Sequence, residues 1–311
     1  MPQLDIHADD YALTVHTSQD ILACLKAGKL DSISIVPNTA CFRACMDLFY
    51  EAIPELPFLP LMSVHLDFVE GHTMAGASRI PLLSDADTGL MRLSWGKLFM
   101  LSYHPVKRKA AFSQLKKEIK AQIAFGDQAI RKSIELAKAH GIPCKQVGLR
   151  IDSHQHAHMI PIVWEALVSV IAEEGYWVEY IRNSKEVLGA FISEIPLWKT
   201  FRPVNLIKNR LLSLYSNRVD RYIKKHKLTQ MYLWGLIMSG RMDYDRVVRL
   251  YPKVIGKAEK DGRTLEVLFH PGLALREEVT RELGEEAASA FYLSKNRKIE
   301  KDTVMRLCLH S

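Results

Sequence analysis

The sequence predicts an α/β fold with a largely parallel sheet. Short buried apolar runs alternate with longer helical patterns, and we find no internal repeat. Polar residues that could take part in chemistry repeatedly follow the apolar runs. In parallel α/β barrels the carboxyl ends of the strands carry the functional site. We therefore expect several strands to contribute to one site at one end of the sheet.

Seven apolar runs are interpreted as strands because they are short, buried in character and bounded by turn residues. They are Leu4–Ala8, Ser32–Val36, Leu61–Leu66, Gln146–Ile151, Trp177–Ile181, Tyr232–Trp234 and Thr264–Phe269. Asp9 and Asp10 follow the first run, Asn38 follows the second, and His65 lies near the end of the third.

Helical periodicity predicts helices between these runs. They cover Ser18–Lys26, residues 39–50, Ala110–His140, Ile162–Glu174, Tyr244–Lys260 and the segment after Gly272. Ser18 is expected to cap the first helix, with Gly28 just past its end. Residues 72–108 are expected to be irregular, because glycines and prolines punctuate them.

Composition narrows the class of protein. The 311 residues suffice for one large domain or two ordinary ones, and at 48% hydrophobic and 25% charged the chain resembles a globular protein with a normal surface. No apolar run approaches the ~20 residues that span a bilayer, and the N-terminus lacks a secretory pattern. The five cysteines are scattered without a CxxC pair, which favours reduced thiols. We expect a cytoplasmic protein.

The positive charge of the chain is concentrated in one segment. Between Lys199 and Lys227 there are nine Lys or Arg and one acidic residue, Asp220, a net charge of +8. Since the whole chain carries +7, the remainder sums to −1. A near-neutral body argues against a nucleic acid as partner.

Two interpretations of this basic segment remain open. Apolar residues recur at mostly helical steps, namely Val204, Ile207, Leu211, Leu214, Val219 and Tyr222. The stripe could pack on the body of the protein as part of a solvated helix. Alternatively, the segment is a basic interfacial helix that meets an anionic glycolipid or membrane surface through residues 199–227, which would place the protein at the inner membrane face.

The run Arg150–Pro161 is the most informative part of the sequence. It places His154, His156 and His158 within seven residues of Asp152. Imidazole is the commonest ligand for transition metals and the usual acid or base near neutral pH. In an extended segment all three imidazoles would share a face, whereas in a helical turn His154 and His158 would be neighbours. A polar loop without function is the competing interpretation.

Other strand ends supply candidate partners. The adjacent carboxylates Asp9 and Asp10 repel each other, so a cation or hydrogen bonds must compensate, unless Asp10 or Thr14 only caps the next helix. His65 and His270 taken singly could be structural. Taken together, Asp10, His65 and His154 form a two-imidazole, one-carboxylate set with open positions, as in catalytic metal sites. That donor set suits zinc.

Five motifs, in order, resemble those of the YdjC-like carbohydrate deacetylases, which include chitooligosaccharide deacetylases. They are His7–Thr14 (NADDFGLS in the family), Asp31–Asn38 (TSxSxMVN), Ser63–Leu66 with Glu70-Gly71 (GxHL…EG), Asp152–His158 (D[GS]HxHxH) and Phe269–Gly272 (CHP). They span residues 5–272, most of the chain. His7 stands where the family usually has Asn, and Ala12 where it has Gly. Segments at Trp234–Leu236 and Ser239–Asp243 also resemble the hopanoid-biosynthesis branch.

The resemblance implies a distorted (β/α) barrel of the TIM type, one domain over residues 1–311, with a basic helical insertion at about 183–229. It implies removal of an N-acetyl group from an oligosaccharide or glycolipid. Asp9 would be the general base and His270 the group that protonates the departing amine. One divalent ion, Mg²⁺ or Zn²⁺, would bind the three side chains Asp10, His65 and His154.

The remaining motif residues would contact the substrate or support the ligands; they are His156, His158, Asn38 and Asp152. Two alternatives stay open beside deacetylation. One is metal-dependent hydrolysis of another bond, such as a phosphoester, and the other is a glycan-binding barrel without turnover. The sequence leaves the sugar, the metal and a homodimer undecided.

Overall fold

The centre of the protein is a seven-stranded parallel sheet, seen in a computed structural model that describes residues 4–91, 93–200, 203–283 and 292–309. The strands are β1 (Leu4–Tyr11), β2 (Ser32–Ile35), β3 (Leu61–Leu66), β4 (Leu149–Ser153), β5 (Val178–Ile181), β6 (Met231–Trp234) and β7 (Thr264–Phe269). Their order is β5-β4-β3-β2-β1-β7-β6. The predicted α/β class is confirmed.

Helices connect successive strands and cover the sheet. They are α1 (Val15–Lys26), α2 (Phe42–Ala52), α3 (Trp95–Tyr103), α4 (Arg108–Ala139), α5 (Pro161–Glu174), α6 (Gly189–Ile192), α7 (Pro203–Lys225), α8 (Tyr244–Lys260), α9 (Arg276–Leu283) and α10 (Lys295–Arg306). The strands are buried almost throughout, as expected when parallel strands are enclosed on both faces.

The sheet curls into an incomplete barrel. Its edge strands are β5 and β6, and the amide of Leu233 in β6 donates to the carbonyl of Lys185, just after β5, at 3.0 Å. Within the described residues no strand ladder joins these two edges. β1 lies between β2 and β7, so its carboxyl end borders the ends of both neighbours. The half-barrel thus gathers the strand ends around one mouth.

Two predicted boundaries were wrong near the N-terminus. β1 continues to Tyr11, beyond Ala8, and so contains both carboxylates. α1 begins at Val15, and its N-cap is Thr14, whose hydroxyl accepts from the amide of Thr17. Ser18 lies inside the helix, where its hydroxyl donates to the carbonyl of Thr14. Thr14, Thr17 and Ser18 could each cap a helix by their hydroxyl groups. The position at which β1 ends determines that Thr14 is the one that does so.

Other boundaries also moved. Residues 72–108 include α3, which Ser94 caps by accepting from the amide of Lys97, so the prediction of a wholly irregular segment was wrong. β4 runs to Ser153, past the predicted end at Ile151, and brings Asp152 into the sheet. The segment after Gly272 contains α9 and α10, while residues 284–291 lie outside those that the structure describes.

The basic insertion forms α6, a 3₁₀ turn over Ile195–Thr200 and α7. The residues that α7 buries are Asn209, Leu212, Ser216, Val219, Asp220 and Ile223. The predicted apolar stripe is right for Val219 but wrong for Ile207 and Leu214, which are 62% and 72% exposed. The side chains of residues 199–204, Val204 among them, lie outside the described set.

The apolar stripe did not predict the buried face of α7 correctly, because that face includes polar residues that form hydrogen bonds. Asn209 donates to the carboxylate of Glu186 at 3.4 Å. The backbone carbonyl of Ser216 accepts from Asn183 at 3.2 Å. A pattern based on apolar residues alone cannot identify such a face. No helix of the described residues is both long enough and apolar enough to cross a membrane.

Two glycines inside helices provide a test of how α4 packs on the sheet. A Cβ at Gly126 of α4 would lie 2.9 Å from a methyl of Val64 in β3, beside His65, whereas a Cβ at Gly256 of α8 would meet nothing within 4 Å. Both Gly→Ala changes gain about 1 kcal/mol of helix propensity. At Gly126 overpacking of about 1–3 kcal/mol opposes that gain.

We therefore expect Gly256→Ala to stabilise the protein, because space is open there. Gly126→Ala should leave the protein about 1–3 kcal/mol less stable than Gly256→Ala does, because the added methyl group meets Val64. Urea unfolding of both variants measures the difference. Equal stabilisation by the two substitutions would show that α4 does not pack tightly on β3.

Candidate metal centre and cavity

The polar residues at the strand ends meet in one place. Oδ1 of Asp10 lies 3.4 Å from Nδ1 of His154 and 3.8 Å from Nε2 of His65. Oδ1 of Asp9 lies 3.9 Å from Nδ1 of His65. All four side chains are buried. The structure thus brings together the three predicted metal ligands and the predicted base.

A backbone irregularity lets two successive carboxylates reach this site. In a regular strand Asp9 and Asp10 would point to opposite faces. The register of β1 against β2 shifts between Ala8 and Tyr11, and Asp10 and Ala12 adopt left-handed φ angles of 72° and 67°. Left-handed backbone is uncommon outside glycine and marks a local constraint. Here the constraint breaks the alternation of β1 and turns both acids toward the site.

The histidine run forms neither of the two predicted geometries. Residues His154–Met159 form a 3₁₀ turn in which Gln155 and His156 have left-handed φ angles of 52° and 59°. The three imidazoles therefore separate. His154 faces Asp10, His156 lines the adjoining cavity, and His158 is buried against the backbone of Arg182.

The set formed by Asp10, His65 and His154 can hold a metal ion. One ligand atom from each lies within 4.8 Å of the others. Oδ1 of Asp10 is buried, and no well-aligned hydrogen bond reaches it from a described residue; the nearest imidazole nitrogen is Nδ1 of His154, 3.4 Å away. A buried carboxylate oxygen without a donor is costly, and a cation between the three side chains would satisfy it. The residues present therefore fit a divalent ion.

Each ligand is held through its other polar atom, as outer-shell contacts orient metal ligands. Nδ1 of His65 lies 2.7 Å from Oδ1 of Asp152, and Nε2 of His154 lies 2.8 Å from the hydroxyl of Tyr292. Two nitrogens of Arg297 donate to Oδ2 of Asp10, both at 3.0 Å. The remaining atoms, Nε2 of His65, Nδ1 of His154 and Oδ1 of Asp10, point at one another.

The site attracts positive charge. Burial by itself lowers the pKa of His154, but Asp67, Asp10 and Glu70 outweigh it and raise that pKa to about 10. Burial likewise lowers the pKa of His65, and Asp9 and Asp152 reverse the shift. Without a metal both shifts favour the protonated imidazoles. A bound cation would displace those protons, as metal binding at histidine does generally.

Asp9 is fixed as a carboxylate at the edge of the cavity. Arg182 donates to both of its oxygens at 2.9 Å, and Nε2 of His7 lies 3.0 Å from Oδ1. Burial alone would raise the pKa of Asp9, but Arg182, His65 and His7 hold it well below the ordinary value. Asp9 is therefore held in its ionised form.

Arg182, just after β5, is the residue that the sequence prediction missed. Its buried guanidinium contacts three carboxylates. They are Asp9, Asp152 at 3.0 Å and Glu266 at 2.7 Å. Nothing near Arg182 in the sequence signals this role, because its three partners come from distant strands. Tyr292 and Arg297, which hold His154 and Asp10, lie in the C-terminal segment, for which we predicted only helix.

Of the residues predicted to support the ligands or contact the substrate, some lie at the ligands or the cavity and others lie away from the cavity. Asp152 orients His65, and the hydroxyl of Ser184 bonds Nδ1 of His156 at 2.9 Å at the cavity wall. Asn38 and His158 do not line the cavity. Asn38 donates to the carbonyl of Glu70 at 3.0 Å and so fixes that loop.

His158 has a structural place. Its Nε2 donates to the carbonyl of Arg182 at 2.7 Å, and Nδ1 accepts from the hydroxyl of Ser153 at 2.6 Å. Burial lowers the pKa of His158 to about 4, so the ring is neutral at physiological pH. The ring positions Arg182, and through it Asp9.

A cavity of about 230 Å³ opens beside the candidate metal centre. On that side it is lined by Asp9, Glu70, His154, His270 and Tyr292. His156 and residues from the basic insertion and the loop after β6 complete it. His270 is anchored through its backbone amide, which donates to Glu300 at 2.6 Å. The predicted base and the predicted acid therefore border the same space.

Other acid–histidine groups in the described residues are less suited to a metal. His7, Asp9 and Asp152 approach one another, as do Asp5, His7 and Glu266. Arg182 already contacts Asp9, Asp152 and Glu266, so a guanidinium supplies the positive charge there. Only the group of Asp10, His65 and His154 combines an unsatisfied oxygen with two imidazoles.

A family profile described as YdjC-like protein matches residues 3–306, nearly the whole chain. The chain belongs to the YdjC-like family. The predicted resemblance is thereby confirmed at the level of the family. No curated protein matches the sequence significantly.

Solved structures with a similar fold include that of a protein from Enterococcus faecalis V583 proposed to cleave cellobiose-phosphate. It shares 16% identity with this chain, covers 98% of this chain and 90% of its own, and superposes with a TM-score of 0.61. At this identity the similarity shows the fold alone.

Removal of Arg182 should cost far more than removal of an exposed arginine. Arg182→Gln leaves three buried carboxylates without their cation, and breaking a buried ion pair costs about 3–5 kcal/mol. Arg131→Gln removes only an exposed pair with Asp127 within α4, worth about 0.3–0.5 kcal/mol. The free energies of unfolding in urea measure both. Similar losses in the two variants would contradict a central role for Arg182.

Proposed function

We propose that this YdjC-like chain is a metal-dependent hydrolase that removes the N-acetyl group of an N-acetylated sugar, either an oligosaccharide or a glycolipid. The products are the amine and acetate. The observation that carries the proposal is the unsatisfied Oδ1 of Asp10 facing two imidazoles, next to a cavity that Asp9 and His270 border. The roles of these residues are proposals.

Asp10, His65 and His154 would hold the metal, which when bound polarises a carbonyl oxygen and lowers the pKa of a water molecule. Mg²⁺ and Zn²⁺ both remain candidates, since the donor set suits zinc while the resemblance implies magnesium. Arg297 keeps Oδ2 of Asp10 engaged, so Oδ1 is left for the ion.

Proton transfer would use the residues at the cavity. An oxygen of Asp9 accepts a proton from water, and the water oxygen forms a bond to the acetamide carbon. The carbon–nitrogen bond then breaks, and the imidazole of His270 supplies a proton to the departing amine. A general base or acid contributes about 10²- to 10⁴-fold to such a reaction. Arg182 orients Asp9 and keeps it ionised.

His156 and Tyr292 would position the sugar. Burial is the main cause that holds the pKa of His156 well below its ordinary value, so the ring is neutral and can hydrogen bond to a hydroxyl. Tyr292 donates to Glu70 and holds His154 while lining the same cavity. The wall beside the metal centre is therefore polar, as sugar hydroxyls require.

Acetate release tests the proposal. The purified chain is stripped of metal, reloaded with Mg²⁺, Zn²⁺ or another divalent ion, and assayed with N-acetylated oligosaccharides and sugar-lipids. Phosphate release from sugar phosphates is measured in parallel, because phosphoester hydrolysis is the competing enzymatic reading. Phosphate without acetate would overturn the proposal, as would sugar binding without any turnover.

Asp9→Asn should lower acetate release by roughly 10²- to 10⁴-fold, since the base is lost. Its metal content should stay near one ion per chain, because Asp9 is not among the three ligands. His65→Gln should lose metal instead. Asp127→Asn, which removes only the ion pair with Arg131 in α4, should alter neither quantity. Metal analysis and acetate assays on the same samples separate these roles. Full activity of Asp9→Asn would exclude Asp9 as the base.

A further inference from the structure

The cavity contains a cation that the proposed reaction does not use. Lys208, in the second turn of α7, is the only Lys or Arg among its described lining residues. It makes no ion pair or hydrogen bond with any described residue. The cavity acids are already engaged, Asp9 by Arg182 and Glu70 by Tyr292. Burial lowers the pKa of Lys208 to about 8.

Neighbouring contacts hold Lys208 at the cavity. Asn205 and Asn209 flank it on α7. Asn205 donates to the carbonyl of Ile237 at 3.0 Å, and Asn209 donates to Glu186. Through these two residues α7 is tied to the loop after β6.

Glu186 fixes that loop in turn. Its carboxylate accepts from the amides of Gly235, Leu236 and Ile237 at 2.8, 3.2 and 2.7 Å. Gly235 and Leu236 line the cavity themselves. The ammonium group of Lys208 therefore lies in a part of the cavity wall that these hydrogen bonds hold in place.

The surroundings of Lys208 suit an anion. A partly desolvated ammonium without an acidic partner is costly, and an anionic ligand would offset that cost. Ser239, from the loop after β6, offers a neutral hydroxyl in the same wall.

We propose that Lys208 binds an acidic group on the sugar, a phosphate monoester or a carboxylate, so that the preferred substrate is an anionic N-acetylated sugar. This specificity rests on the proposed function for its biological meaning. The binding of the acidic group can be measured without turnover. The two inferences can therefore fail separately.

Calorimetric titration with three matched sugars provides the test. They are N-acetylglucosamine, its 6-phosphate and N-acetylmuramic acid, which carries a carboxylate. Wild-type protein should bind at least one acidic sugar more tightly than the neutral one. Lys208→Met should reduce that preference about ten- to a hundredfold, since a hydrogen bond to a charged group is lost. Lys208→Arg should retain part of it.

Lys138→Met serves as the control, because Lys138 is an exposed lysine at the end of α4, near the start of β4. It should leave the preference unchanged. Equal affinity of the wild type for acidic and neutral sugars, or no binding of the acidic ones, would overturn the proposal. So would an equal loss for all three sugars in Lys208→Met. A retained preference without acetate release would refute only the proposed function.

A separate observation concerns the outer surface of the insertion. Six of the fifteen exposed large apolar side chains of the described residues fall within one short stretch: Ile192, Ile195, Trp198, Leu206, Ile207 and Leu214. Three more lie on or just after α3, at Met100, Tyr103 and Val106. Tyr103 hydrogen bonds Tyr215 of α7, so the two groups adjoin. Scattered exposed residues would need no explanation, but such a concentration does.

The exposed face of α7 combines apolar and basic side chains. At helical steps it presents Ile207, Arg210, Leu214, Asn217, Arg221 and Lys224. The one acid of the segment, Asp220, instead faces inward to Arg263 and Lys185. Among the described residues Arg210, Arg221 and Lys224 make no ion pair. The face is therefore apolar toward the cavity end of α7 and positive toward its other end.

We infer that this face docks on an anionic lipid surface. Apolar side chains would enter the boundary of the head groups, and the basic ones would meet lipid phosphates. Each basic side chain near such a surface adds about fivefold to the affinity. Charge complementarity selects a membrane over a second copy of the chain, because two copies would bring like charges together.

Vesicle flotation tests the docking. The full chain should float with vesicles containing phosphatidylglycerol, float much less with pure phosphatidylcholine, and lose binding as salt rises. The double variant Ile207→Asp with Leu214→Asp should lose flotation. Val147→Asp is the control, because Val147 is equally exposed but lies near the start of β4.

Two results would overturn the docking. One is equal flotation with both vesicle types. The other is absence of flotation together with a dimer in light scattering that Ile207→Asp dissolves, which would assign the face to a second copy.

Discussion

The contact on which the rest of the site depends is the buried guanidinium of Arg182 among three carboxylates. Asp9, Asp152 and Glu266 lie on β1, β4 and β7, and Arg182 follows β5. One side chain thus links four strands across the interior of the half-barrel. Three buried acids without a cation would repel one another or take up protons. The sheet can hold three buried carboxylates close together because the guanidinium of Arg182 forms an ion pair with each of them.

The remaining contacts extend this balance to the metal centre. With Asp152 partly neutralised by Arg182, its other oxygen is free to orient His65. Arg297 donates hydrogen bonds to Asp10, as Arg182 does to Asp9. Arg182 contacts both oxygens of Asp9, whereas Arg297 contacts only Oδ2 of Asp10. Oδ1 of Asp10 is then left facing the imidazoles of His65 and His154. The unmatched oxygen is where the charge balance leaves room for a divalent ion.

The sequence allowed the parallel sheet and the grouping of Asp10, His65 and His154 to be predicted, because strands and their terminal polar residues are local patterns. The geometry of His154–His158 was not predictable, since left-handed backbone at Gln155 and His156 depends on what the turn packs against. Arg182, Tyr292 and Arg297 escaped notice because their partners are distant in sequence. The buried face of α7 escaped because it includes Asn209. Local patterns locate the site, while long-range ion pairs and polar packing give it its geometry.

The division of the cavity has a consequence for specificity. The metal side is built from strand ends, whose positions are fixed by the sheet and by Arg182. The other part comes from α7 and the loop after β6, which Glu186 joins through three backbone amides and Asn209. Because the insertion contributes Lys208 inside and the apolar, basic face outside, the proposed ligand choice and the proposed surface docking both depend on α7. On these proposals, a change in α7 alters which sugar is bound and where the protein docks, while the ion pairs that position Asp9 and Asp10 come from other elements.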